Sequence, residues 1–143
     1  MEPICCSLFE GLKEEDVQEI KMVLRPTSQH AVKNQRIHLP SGCIGVLLQG
    51  ELQIERHDIQ GNRQLVTSIH AQDIFGEVFA VLAQDPPFAI VARKDAHILW
   101  LLYPRMLTLS KHPCIHQLLQ NLMRSFALKN KQLQRKLELA ALR

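Results

Sequence analysis

The chain has 143 residues, 46% of them apolar and 22% charged. That balance fits one folded domain and argues against both a disordered chain and two full domains. No apolar run reaches the roughly 18 residues of a membrane span, and no basic segment with an apolar run opens the chain as an export signal would, so a cytoplasmic location, no membrane partner and reduced thiols are expected.

The net charge of +3 is unevenly spread. Residues 1–110 hold ten Lys/Arg against thirteen Asp/Glu, whereas residues 111–143 hold seven Lys/Arg against Glu138 alone. A basic helical tail can face nucleic acid or an acidic partner, or can be a solvated face.

Leu8, Leu12, Val17, Ile20 and Leu24 recur at helical spacing, and Pro26 ends that helix. From Val32 to Leu102 short apolar runs alternate with turn residues. Gln35–Leu39 stops at Pro40-Ser41-Gly42, and Ile44–Leu48 stops at Gln49-Gly50. Leu52–Arg56 and Gln64–Ile69 alternate cleanly around Asp58-Ile59-Gln60-Gly61-Asn62, a hairpin tip. Val78–Ala83 is a short helix halted by Asp85-Pro86-Pro87, and Ala89–Ala92 and Ala96–Leu101 close the series. About seven short strands at this spacing predict an antiparallel sandwich or barrel.

After Tyr103-Pro104 the pattern is helical to the end, with Pro113 suited to a first turn. Ile115, Leu119, Leu122, Phe126, Asn130, Leu133, Leu137 and Ala140 form the expected seam of a dimer. A helix of about 30 residues, ~45 Å long, exceeds what a small barrel needs, and an apolar seam on it implies a twin helix. Folding back on its own barrel is the alternative. Asn130 at the seam would fix register at a cost in stability. The pattern runs to Leu142-Arg143 without a stop signal, so the chain is expected to be a piece of a longer protein.

Within the β region stand Gly50-Glu51-Leu52, Gly61-Asn62-Arg63 and Asp73-Ile74-Phe75-Gly76-Glu77, and within the last helix Asn121-Leu122-Met123 and Lys129-Asn130. In this order they resemble the effector domain of Crp/Fnr-type bacterial transcription regulators, over nearly the whole chain. The resemblance implies an α+β fold: an antiparallel double-stranded β-helix, or β-roll (jelly roll), flanked by an N-terminal helix and a long C-terminal dimerisation helix. Residues 1–110 would be the sensor domain and residues 111–143 the dimerisation helix. It further implies a homodimer that senses an effector and contacts DNA only through a C-terminal helix-turn-helix domain, to which nothing in these residues corresponds.

Cyclic-nucleotide binders of that family carry a Gly-Glu pair followed about ten residues later by Arg-Ser-Ala. The Glu takes the ribose hydroxyl, the Arg pairs with the cyclic phosphate, and small residues leave backbone N–H groups free. Gly76-Glu77 keeps the pair, but the later positions are Pro87, Phe88 and Ala89. Pro87 has neither charge nor N–H, so an anion would lack a countercharge there, and no tight binding of cAMP or cGMP is expected. Gly76-Glu77 could then be merely a tight turn and a surface carboxylate. Alternatively Gly76, Glu77, Val78, Phe79, Leu82, Pro87, Phe88 and Ala89 surround a site for another small organic effector, with polar contacts from Gln120, Asn130 or Gln132. The same side chains could simply fill the core.

No cofactor or metal is expected. Cys5 and Cys6 are adjacent, without cluster-binding spacing, and Cys43 and Cys114 stand apart as small apolar residues. His112 and His116 share a helical face but lack a third ligand there. There is no His-x-His, no G-x-S-x-G and no Walker loop, so no enzyme is indicated. The competing readings are a stand-alone interaction domain with an empty roll, and a haem or metal redox sensor.

Overall fold

The computed structural model of the protein describes residues 6–57 and 60–142, without the side chains at 57 and 63–66. Cys5, the Asp58–Ile59 part of the hairpin tip and Arg143 lie outside the described residues.

A 3₁₀ turn, Ser7–Phe9, precedes helix α1, Glu14–Leu24. Glu14, Glu15 and Asp16 fill the first turn of α1, where carboxylates favour the positive end of the helix dipole. The Asp16 side chain also accepts from the Lys13 backbone N–H at 3.0 Å, and left-handed Arg25 with Pro26 behind it ends the helix. Among the described residues eight strands follow in an antiparallel roll: β1 (Thr27–Ala31), β2 (Arg36–Ile37), β3 (Cys43–Gln49), β4 (Glu51–His57), β5 (Arg63–His70), β6 (Ile74–Phe75), β7 (Ala89–Ala92) and β8 (Ala96–Leu102). Between β6 and β7 sits α2, Glu77–Leu82; after β8 come α3, Tyr103–Thr108, and α4, Pro113–Ala141.

The strands form two four-stranded sheets, ordered β1-β8-β3-β6 and β2-β7-β4-β5. Side-chain alternation explains the two cores. In β3, Ile44, Val46 and Leu48 point to the helices while Leu47 points between the sheets; in β8, Leu99 and Leu101 point to the helices while Ile98 and Trp100 point between the sheets. Both faces of these strands are covered, so they read as unbroken apolar runs rather than alternating ones. Gly45 makes room for an aromatic: a Cβ there would lie 2.3 Å from Phe75 Cζ, and Phe75 meets Trp100 edge-to-face at 5.4 Å.

The expected β-roll and its flanking helices are present. Two strands carry no sequence signal: β1 is Thr-Ser-Gln-His-Ala at a sheet edge with only Ala31 buried, and β6 is two residues long.

Helix α4 is 29 residues long, and His112 caps it by accepting from the Cys114 N–H at 3.2 Å. The helix has two unlike halves. Ile115, Leu118 and Leu122 are buried in one cluster with Leu8, Phe9, Ile20 and Leu24, and Asn121 Nδ2 donates to the carbonyls of Leu8 and Glu10, both at 2.8 Å. From Ala127 to Leu142 every residue is exposed. Ile115 and Leu122 therefore do not belong to a seam between copies: they are 0% and 3% exposed because the chain's own N-terminal turn and α1 cover them.

Candidate functional site

A cleft of about 470 Å³ opens between the roll and α4. Ile54 of β4 with Thr67, Ser68 and Ile69 of β5 form its floor. Gln72 to Phe79, the corner from β6 into α2, forms one wall, Phe88 another, and Ser7, Ser125 and Lys129 border the remaining side. The volume lies within the range of small-molecule sites.

The corner is held by its backbone. Gly76 has φ 75° and packs so closely on Leu39 that a Cβ would lie 2.7 Å from Leu39 Cδ1. Only glycine meets both demands without strain. The turn brings Glu77 inward: it is 5% exposed, and its Oε1 accepts from Lys129 Nζ. Glu77 is thus not a surface carboxylate; α4 supplies the cation that makes its burial tolerable. Beside it, Asp73 Oδ2 accepts from the His70 backbone N–H at 2.9 Å, and Gln72 Nε2 donates to the Leu48 carbonyl at 3.1 Å.

Phe88 packs edge-to-face on Phe79 at 5.3 Å, and Pro87 is exposed outside the cleft. Among the described lining residues the charged ones are Glu77, Asp73 and Lys129; Lys129 is paired with Glu77, whereas the half-exposed Asp73 carboxylate is turned to His70, 3.8 Å from its Nδ1.

Of the residues expected here, the structure brings together Gly76, Glu77, Val78, Phe79 and Phe88. Leu82 is 56% exposed and lies off the cleft, as do Pro87 and buried Ala89, which lines a neighbouring hollow on the far side of Phe88. Gln120, Asn130 and Gln132 also lie off it, all exposed on α4. The helix instead offers Ser125 and Lys129, which extend the buried row Leu118 and Leu122 by three and then four residues. That continuation of the core stripe is the signal in the sequence that marks them.

A second row runs along α4 beside the first. Leu119, Met123, Phe126, Asn130, Leu133, Leu137 and Ala140 follow one another by alternating steps of four and three. Leu119 and Phe126 are half-buried at the edge of the core, while Met123, Leu133 and Leu137 are 71%, 56% and 62% exposed. This is a heptad pattern with Met123, Asn130 and Leu137 at the a positions.

Among the described residues no three His, Cys, Asp or Glu side chains gather as a metal site, and no helix is long and apolar enough to cross a membrane. His112 Nε2 lies 3.2 Å from Glu19 Oε1 and its other nitrogen caps α4, while His116 is exposed. Cys6 is buried. Burial holds the Cys43 thiol above its ordinary range; burial, then Asp16 and Glu19, do the same to Cys114, whose Sγ lies 3.7 Å from Asp16 Oδ1. Raised thiols are poor nucleophiles and poor metal ligands.

No protein-family model and no curated protein sequence matches the chain. Solved structures do match. The catabolite activator protein of Thermus thermophilus superposes with a TM-score of 0.78 at 18% identity, over 94% of this chain and 63% of that one. A transcriptional regulator from Thermotoga maritima gives 0.72 at 17%, over 89% and 98%, and a cyclic nucleotide-binding domain from Methylobacillus flagellatus gives 0.72 at 15%, over 87% and 71%. The chain has the fold of a cyclic-nucleotide-binding domain, and its structural neighbours include those of Crp-type transcription regulators. It spans about three fifths of the length of the Thermus protein.

Proposed function

We propose that this chain is the effector-sensing and dimerisation part of a Crp/Fnr-type transcription regulator. It acts as a homodimer in the cytoplasm and reaches DNA through a helix-turn-helix domain that is not part of this chain. It carries out no catalysis. Its effector is a small molecule other than cAMP.

One observation carries the reading: adjacent rows of α4 serve two purposes. Ser125 and Lys129 border the cleft, while in the neighbouring heptad row Met123, Asn130, Leu133, Leu137 and Ala140 are exposed and only Leu119 and Phe126 touch the edge of the chain's own core. A helix built this way couples cleft and partner. An effector that changes what Lys129 touches favours one arrangement of the paired helices, and with it one spacing of the DNA-binding domains. Pro87 in place of the family's arginine, the Phe79–Phe88 pair on the cleft wall, and a single lining cation already paired with Glu77 support the exclusion of a cyclic phosphate.

Sedimentation equilibrium of the chain tests the dimer, and a thermal-shift titration with cAMP tests the exclusion. A dimer at micromolar concentration with no cAMP shift is the expected result. A monomer at 100 µM, or stabilisation by cAMP of several degrees, would refute the reading.

A further inference from the structure

We propose that the Lys129 ammonium is a built-in occupant of the donor end of the cleft, and that the ligand which displaces it is a small apolar molecule with an ammonium head. This rests on the reading of the cleft as an effector site.

The two ends of the Glu77–Lys129 pair differ in freedom. The Glu77 side chain is 7% exposed and that of Lys129 is 52% exposed. Lys129 lies on the solvent-exposed part of α4 and can carry its ammonium into water on its flexible stem. Glu77 is the buried end, and its backbone is anchored by Gly76, with φ 75° and pressed on Leu39. A buried carboxylate stripped of its donor is strongly unfavourable, so a molecule that evicts Lys129 must bring a donor of its own. An ammonium group restores both the hydrogen bond and the charge.

An anion meets the opposite situation. It would meet the buried Glu77 carboxylate, and the one cation among the described lining residues is already engaged with it. The ligand body fits the rest of the cleft: Phe79 and Phe88 offer ring faces and edges, and Ile54 and Ile69 an apolar floor. A cation close to those rings gains further. Lys129 immediately precedes Asn130, the polar a position of the heptad row, so its release acts at the point where the register of paired helices is set.

Phenethylammonium and phenylacetate, with the same ring and opposite charge, are the probes, titrated by calorimetry into the wild-type chain and into Lys129→Met. The variant keeps the stem and loses the competing ammonium. Phenethylammonium is expected to bind the variant at least about tenfold more tightly than the wild type, since the internal competitor is gone. The double variant Glu77→Gln/Lys129→Met, which removes both charges and leaves no orphaned one, is expected to lose that gain. Phenylacetate is expected to bind none of the three. Phenylacetate binding to the wild type that disappears in Lys129→Met would overturn the proposal, making Lys129 a counter-ion. Equal phenethylammonium affinity in wild type and Lys129→Met, or no binding to either, would overturn it too. Sedimentation of the same samples reports dimerisation separately, so loss of the plug leaves the dimeric sensor standing or falling on its own result.

Discussion

Truncating Leu133 to alanine separates the two rows of α4. Leu133 is 56% exposed, and nothing in its own chain covers that fraction. Alanine is the better helix former, so the helix itself is not weakened. Fully burying a leucine side chain is worth roughly 1.5–3 kcal/mol, so covering the exposed part is worth about 0.8–1.7 kcal/mol per copy. A symmetric dimer contains the residue twice, and the loss comes to about 2–3 kcal/mol per dimer, or a dissociation constant weakened roughly 30- to 150-fold. Sedimentation equilibrium across a concentration series measures it. Ile115→Ala is the control: it empties a site that is 0% exposed inside the protomer, and is expected to cost about 2–5 kcal/mol of folding stability. Its unfolding midpoint should drop in denaturant while the dimer constant of the folded fraction holds. A dissociation constant that moves less than threefold for Leu133→Ala, or one that moves as far for Ile115→Ala, would refute the assignment of the rows.

Other substitutions probe the roll and the long helix. Gly45→Ala places a methyl group 2.3 Å from Phe75 Cζ and is expected to lower stability by about 1–3 kcal/mol, partly restored by adding Phe75→Leu; an unchanged urea midpoint would contradict the packing. His112→Ala removes the cap of α4 and the contact to Glu19, with an expected loss of about 0.5–2 kcal/mol read from thermal unfolding. With the thiols of Cys43 and Cys114 held above their ordinary range, iodoacetamide should label the native chain at pH 8 more slowly than the unfolded chain. The same upward shifts favour the folded state below the ordinary thiol pKa, and that contribution is lost as pH rises through the folded value. Native and unfolded rates that coincide would show that burial does not govern these thiols.

Elements whose patterns are local could be read from the residues alone. Strands β3 and β8 announced themselves as apolar runs because both faces are covered, β4 as an alternating run, and Gly76-Glu77 as a turn into a short helix. Edge strand β1, with one buried residue in five, left no such mark and exists through its pairing with β8. The partners of groups far apart in the chain emerged from the fold. The apolar residues of α4 read as one band; the docking of the N-terminal turn and α1 divides it, taking Ile115 and Leu122 inward and leaving Leu133 and Leu137 outward. Gly76 turns Glu77 inward and α4 crosses above it, so a carboxylate and an ammonium separated by 52 positions meet in one cleft. Periodicity along a segment records which side chains share a face; it carries no information about what that face will be pressed against.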